Sequence, residues 1–143
     1  MLSLIALFKL NIMKKSVIKK VAKTRNDGTM SESDFWQFIR NTLRRKSMYW
    51  KPISKARMLA RRKYVGIDKR QKYEYQCNHC KNFYKGTQIY VDHIIPTGSL
   101  TNSYDLPHFV ETLFCEIDNL QVLCKDCHDK KTIIDNINTK KKC

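Results

Sequence analysis

Two cysteine pairs constrain this chain more than any other feature: Cys77-Asn78-His79-Cys80 and Cys124-Lys125-Asp126-Cys127, with 43 residues between them. Cysteines two residues apart in a tight knuckle can turn both thiolates toward one tetrahedral ion, so the four read as a structural zinc set. Disulfides are the competing use of the six cysteines, but the C-x-x-C spacing favours metal. Cys115 and Cys143 are left over, and Cys115 reads as a packing thiol. A staple of this kind suits the composition. At 143 residues the chain has the length of one domain, and its 42% hydrophobic content leaves little for a large core. A thiol-rich zinc site also fits a reducing, cytoplasmic compartment.

Charge divides the chain. Residues 1–75 carry 20 Lys/Arg against 5 Asp/Glu, whereas residues 76–143 carry 8 of each. The whole net charge of +15 therefore precedes the cysteine-bracketed region. That asymmetry points to a basic arm or platform for a polyanion, joined to a neutral, more compact unit. Basic excess alone does not separate nucleic acid from anionic lipid. The apolar run Met1 to Phe8 is too short to span a bilayer, and it has neither a charged segment in front nor a small-residue cleavage site behind. No membrane partner is expected. Residues 1–29 read as a disordered basic extension, whose Lys-rich part, residues 14–28, ends in Asn26-Asp27-Gly28 and reads as a flexible tail.

Helix signals follow. Ser31 with Asp34 reads as an N-terminal cap, Phe35, Phe38, Ile39 and Leu43 share one helical face, and Tyr49 to Pro52 interrupt the helix. A second basic helix is expected from about Ser54 to Tyr64, with Ala56, Met58, Leu59 and Ala60 inward. Together these make residues 30–72 a helical segment. Its Arg40, Arg44, Arg45, Lys55, Arg57, Arg61, Arg62 and Lys63 are candidate DNA-contacting residues, because guanidinium and ammonium groups neutralise phosphates. The bland alternative is an ordinary solvated helix face.

Beyond residue 72 the pattern changes to α+β. Residues 72–76 alternate as a short strand, and Gln88 to Ile95 is the strongest strand signal, rich in Ile, Val and Tyr. Asp105 to Phe114 reads as a short amphipathic helix, with Phe109, Leu113 and Phe114 serving packing. Asn119 to Leu123 reads as a strand into the second knuckle, and His128 to Ile137 as a final helix. Residues 138–143 should fray.

The strand Tyr90-Val91-Asp92-His93-Ile94-Ile95-Pro96 sets a hard anionic metal ligand beside an imidazole. A lone strand histidine is usually structural. Here Asn119, Cys127-His128 and Lys131 recur downstream in a fixed order, and the set closely resembles the HNH endonucleases, members of the ββα-metal or His-Me finger nucleases. The resemblance covers about residues 73–132 and extends to the Phe35–Arg40 helix, as in small phage-encoded members. The long stretch between His93 and Asn119 departs from the family pattern.

This resemblance implies a treble-clef-like, zinc-clamped unit over residues 73–137. It implies that His93 is a general base, that Asn119 orients the loop and His93, and that Asp92 and His128 hold one divalent cation, most simply Mg2+. DNA is the implied partner, and a phage-encoded protein acting inside a bacterial host is the implied setting. The chemistry is consistent with these roles. An imidazole titrates near ~6.5, so it can take a proton from water near neutrality, and a carboxylate suits magnesium. Adjacent strand residues face opposite ways. Asp92 and His93 can therefore serve one site only if the strand bulges there or the phosphate lies along its end; a bulge is the expectation. A non-catalytic, zinc-stabilised DNA-binding module is the competing function. His79 and His108 are expected to be bystanders. Oligomeric state is open, a monomer included.

Overall fold

The computed structural model describes residues 21–141. They fall into two compact units, divided between Phe35 and Trp36. In the first, β1 (Lys23–Arg25) and β2 (Met30–Ser31) form an antiparallel hairpin. Asn26, Asp27 and Gly28 turn the chain at positive φ (51°, 52° and 71°), a region these three residue types tolerate. Residues 23–29 are thus ordered by turn chemistry, contrary to the expected disordered tail; residues 1–20 lie outside the described chain. Arg25 reinforces the hairpin, donating to Glu32 at 2.7 Å and lying 4.7 Å from the centre of the Phe35 ring.

Helix α1 (Glu32–Ser47) begins where the Ser31–Asp34 signal placed it. The Asp34 backbone N–H donates to Ser31 Oγ at 3.1 Å, and the Asp34 carboxylate accepts from both the Ser31 hydroxyl and its N–H. This reciprocal cap holds the Asp34 carboxyl below its usual pKa, through the Ser31 hydroxyl first. The buried stripe of α1 differs from the expected one. Trp36 and Ser47 are buried, Ile39 and Leu43 half-buried, and Phe38 is 56% exposed. Spacings of three, four and four residues put 36, 39, 43 and 47 on one face, and Phe38 lies off it.

Helix α2 (Lys51–Leu59) starts earlier and ends earlier than the sequence suggests. Pro52 sits in its first turn, where a missing N–H costs nothing, so proline begins the helix here instead of interrupting it. Of the residues expected inward, Ala56 is buried, whereas Met58 and Leu59 are exposed. Residues 61–63 then leave the helix for β3 (Arg61–Lys63), which pairs antiparallel with β4 (Tyr73–Gln76), and β4 pairs with β5 (Phe83–Tyr84). Pairing with Tyr73, Glu74 and Tyr75 overrides the local helix preference of Arg-Arg-Lys. This sheet crosses the expected boundary at residue 72.

A second sheet positions the candidate site. Strands β6 (Ile89–His93) and β7 (Leu120–Cys124) run antiparallel from Ile89↔Cys124 to His93↔Leu120. Between them a 3-10 turn (Ser103–Asp105) leads into α3 (Leu106–Leu113). Asn102 caps that turn, with Asp105 reciprocating. Phe109 and Leu113 are buried with Leu100, as their expected packing role requires. Helix α4 (Lys125–Lys141) starts before His128, so Cys127 lies in its first turn. Its Ile133, Ile134 and Ile137 are largely exposed. The helix continues into the segment expected to fray, whose last two residues lie outside the described chain.

Phe109 carries the small apolar nucleus under the 94–119 excursion, being 0% exposed. Phe109→Ala should lower unfolding stability by about 3–5 kcal/mol, read from the midpoint and slope of urea denaturation.

Candidate functional site

The first knuckle is tight. Cys77 N–H donates to the Asn82 carbonyl and Lys81 N–H to the Cys77 carbonyl, with Lys81 at φ +62°. Asn78 then fastens the knuckle to β7. Its N–H donates to the Val122 carbonyl at 2.7 Å, and its Oδ1 accepts from Val122 N–H at 2.9 Å. That clamp brings Cys77 and Cys80 to Cys124, the last residue of β7, and to Cys127, the third residue of α4. All four Sγ atoms lie within 4.8 Å of one another, with Cys80 and Cys124 at 4.0 Å. Tetrahedral zinc–thiolate geometry needs sulfurs about 3.8 Å apart. The cluster can therefore hold one metal ion such as zinc.

Groups around the cluster sharpen that reading. The Tyr84 hydroxyl lies 3.4 Å from Cys80 Sγ and pulls this thiol down to about 6, aided by the Asn82 backbone. Desolvation pushes Cys127 up to about 12, and its three neighbouring sulfurs push in the same direction. Without a cation, four packed thiols cannot all ionise; a bound metal removes that conflict. His79, expected to be a bystander, is exposed but places Nδ1 3.6 Å from Cys127 Sγ.

The second constellation forms at the far end of the β6–β7 ladder. A cleft of about 330 Å³ is lined by Asp92, His93, His128, Lys131 and Asp135 together with Arg44 and the 96–99 loop. A hollow of about 570 Å³ by Tyr49, Trp50 and Ile117 is larger, but it contains no histidine and one acid, Glu116. The β6–β7 register is regular through His93, so the expected bulge at Asp92–His93 is absent. The two side chains leave opposite faces, as the pleat requires. Both still line the cleft because β6 ends at His93, which leaves the cleft free to wrap around the strand's end.

Each face holds its residue. On the Tyr90/Asp92 face, α4 packs across the strand. The His128 ring stacks on Tyr90, with centroids 4.9 Å apart, and Lys131, one turn on, places Nζ 3.1 Å from Asp92 Oδ2. Lys131 also pairs with Asp135, so one ammonium bridges two carboxylates. Desolvation pulls Lys131 down, but Asp135 and Asp92 outweigh it and its pKa rises. On the other face, His93 Nε2 lies 3.2 Å from the Leu113 carbonyl. A carbonyl only accepts, so in the neutral ring Nε2 carries the proton and Nδ1 keeps the lone pair.

Asn119 works on the segment immediately after His93. Its carbonyl accepts from Ile94 N–H, its Oδ1 accepts from Ile95 N–H at 2.8 Å, and its Nδ2 donates to the Ile95 carbonyl. These three bonds hold the bend at Ile94–Ile95. His108 lies outside the cleft lining.

The basic residues form no single helical stripe. Arg40, Arg44 and Arg45 are on α1, Lys55 and Arg57 on α2, and Arg61, Arg62 and Lys63 on β3. Arg62 is paired with the largely buried Glu74 at 2.7 Å and packs over Phe83, which leaves less of its charge for a ligand. Arg61 and Lys63 face the other way beside Tyr73 and Tyr75. Arg57 lies over Tyr75 and donates to the Gly86 carbonyl at 2.7 Å; a side chain at Gly86 would collide with that guanidinium. Sequence reading had missed Asp135 and Tyr84. The spacing of Lys131 and Asp135, four apart on a helix, was the available signal.

Cys77→Ser should lose bound zinc and cooperative folding together, because structural zinc contributes folding free energy directly. Metal content by emission spectrometry and far-UV dichroism before and after chelation will check this. Retention of native dichroism by the stripped protein would contradict it.

No protein-family model, no curated protein and no solved structure gives a match to this chain.

Proposed function

We propose that this chain is a metal-dependent DNA endonuclease of the HNH type, with a structural zinc in the cysteine cluster. The observation that carries the reading is the convergence at the end of β6. His93 has a free Nδ1 lone pair, Asp92 and His128 line the same cleft, and Asn119 holds the bend that follows His93. A zinc-stabilised fold alone has no need of that arrangement.

The donor set fits a hard divalent cation. Asp92 offers a carboxylate that already attracts a cation, the Lys131 ammonium, and His128 offers an imidazole across the same cleft. Magnesium commonly takes only one or two protein ligands, the rest being water and phosphate oxygens. Held by Asp92 and His128, such a cation would polarise the phosphodiester and offset charge on the departing 3′ oxygen.

The chain's own residues do the remainder. His93 Nδ1 takes a proton from a water as that water's oxygen bonds to phosphorus. The P–O3′ bond breaks, leaving 5′-phosphate and 3′-hydroxyl ends, and the 3′ oxygen takes its proton from solvent. The Leu113 carbonyl, accepting from Nε2–H, keeps the imidazole in the tautomer that has its base on Nδ1 and stabilises the imidazolium that forms. Asn119 holds the 94–95 bend that follows His93 and so keeps the loop and His93 in orientation. The excess of basic residues before residue 76 supplies sequence-independent attraction for the DNA backbone.

Purified protein with Mg2+ or Mn2+ should nick or cut supercoiled plasmid. His93→Ala should lose at least ~10²-fold in rate, the scale of general-base catalysis, while keeping its zinc. Plasmid left intact by the wild type under several divalent metals would reduce the protein to a non-catalytic zinc-stabilised DNA-binding module. Cleavage by His93→Ala at the wild-type rate would remove the assigned base.

A further inference from the structure

The cleft contains two fixed cations, and they are partnered very differently. Lys131 is matched by two carboxylates, Asp92 and Asp135. Arg44 is matched by none among the described residues. Its Nη2 donates to the neutral Thr97 hydroxyl at 3.0 Å, and its guanidinium lies 5.6 Å from the centre of the Phe109 ring. The residue as a whole stays accessible, yet its guanidinium end is partly desolvated. That desolvation, and then the like charge of Arg40 one turn earlier, lower its pKa.

Like charges at i and i+4 on a helix are destabilising, and partly desolvating a guanidinium without a carboxylate beside it is unfavourable. The Thr97 hydroxyl and the Phe109 ring offset this only in part, neither being an anion, so an anion entering the cleft would complete the arrangement. The geometry is built to receive one. Phe109 is fully buried and gives the guanidinium a fixed apolar seat. Thr97 is also buried and takes one N–H, which leaves the remaining donors of the fork for a ligand. The Thr112 hydroxyl, which donates to the His108 carbonyl of its own helix at 2.8 Å, lies 3.3 Å from the Thr97 carbonyl and packs α3 against the 97 loop. Gly98 turns the loop at φ +74° beside it, with open space where a side chain would stand.

We propose that Arg44 is the phosphate-binding residue of this cleft, presenting its guanidinium fork to the non-bridging oxygens of the phosphodiester that His93 and Asp92 address. It thereby leaves the outer row of backbone-contacting basic residues and joins the reacting centre. The assignment rests on the endonuclease reading for its substrate, but not for its anion. A planar fork matches two phosphate oxygens at once, which a lysine ammonium does not. Across a phosphoryl-transfer transition state such a fork counters the charge gathering on those oxygens.

The test uses the full-length, zinc-loaded chain and two readouts. In the first, inorganic phosphate is titrated while the arginine Nε–Hε signals are followed by NMR, that of Arg44 being identified by its absence in Arg44→Lys. Its signal should shift more than those of Arg40 and Arg45. In the second, Arg44→Gln should lower kcat for plasmid nicking by about 10²–10³-fold, the loss typical of removing one donor to developing charge, with zinc content and thermal transition unchanged. Arg44→Lys should fall between. An Arg44 signal indifferent to phosphate, or Arg44→Gln cutting at the wild-type kcat, overturns the proposal. So does a loss of kcat that Thr97→Val reproduces in full together with a lowered thermal transition, because Arg44 is then only a strut to the 97 loop. A phosphate-induced shift in a wild type that cuts no DNA keeps the anion site and removes the endonuclease reading instead.

Discussion

The rest of the structure depends on the docking of the first cysteine knuckle onto β7. Asn78 makes this contact twice, once through its backbone and once through its side chain, both to Val122. That two-point clamp converts two distant C-x-x-C pairs into one thiol cluster. Its consequences extend along the chain in both directions. Because Cys124 ends β7 and Cys127 lies in the first turn of α4, a metal held there would set where the strand stops and where the helix begins. The direction of α4 then decides which of its residues lie over β6, namely His128 over Tyr90 and Lys131 beside Asp92. A small chain with few fully buried side chains gains from such a clamp what a larger one gains from its core.

The second consequence concerns the two faces of β6. A regular pleat separates Asp92 from His93, and the ladder here is regular to its last pair. The fold reconciles separation with a shared cleft by ending the strand at His93 and anchoring the following bend on Asn119. Each face then has its own support. Helix α4 holds the carboxylate side, and the carbonyl at the end of α3 holds the imidazole side. The long stretch between His93 and Asn119 is therefore more than an insertion, since it supplies the Leu113 oxygen that fixes the tautomer of His93.

Charge is placed with similar economy. Arg62 is matched by Glu74, Lys131 by two aspartates, and Arg25 by Glu32. Arg57 and Arg61 lie over tyrosines on one side of the β3–β4–β5 sheet, and Arg44 lies over Phe109 in the cleft. A net charge of +15 says only that a polyanion is welcome. Which of these cations are left to meet it depends on where the few carboxylates went.

The sequence by itself determined the two C-x-x-C knuckles, the capped start of α1 and the β6 and β7 strands. Each is written in local spacing, which acts over a few residues and needs no partner. What only the tertiary structure decided was the fate of segments whose local preferences were weak or overruled. Arg61 to Lys63 had a helical composition but became a strand, because Tyr73 to Tyr75 offered a paired edge. Pro52 looked like a break but opened a helix. The burial of Trp36 in place of Phe38 followed from which side of α1 met the rest of its unit. The cleft itself, with Arg44 contributed from 53 residues before Thr97, joins groups that share no spacing at all. Local chemistry can name the residues of such a site, but the distances among them arise only when separate elements are packed together.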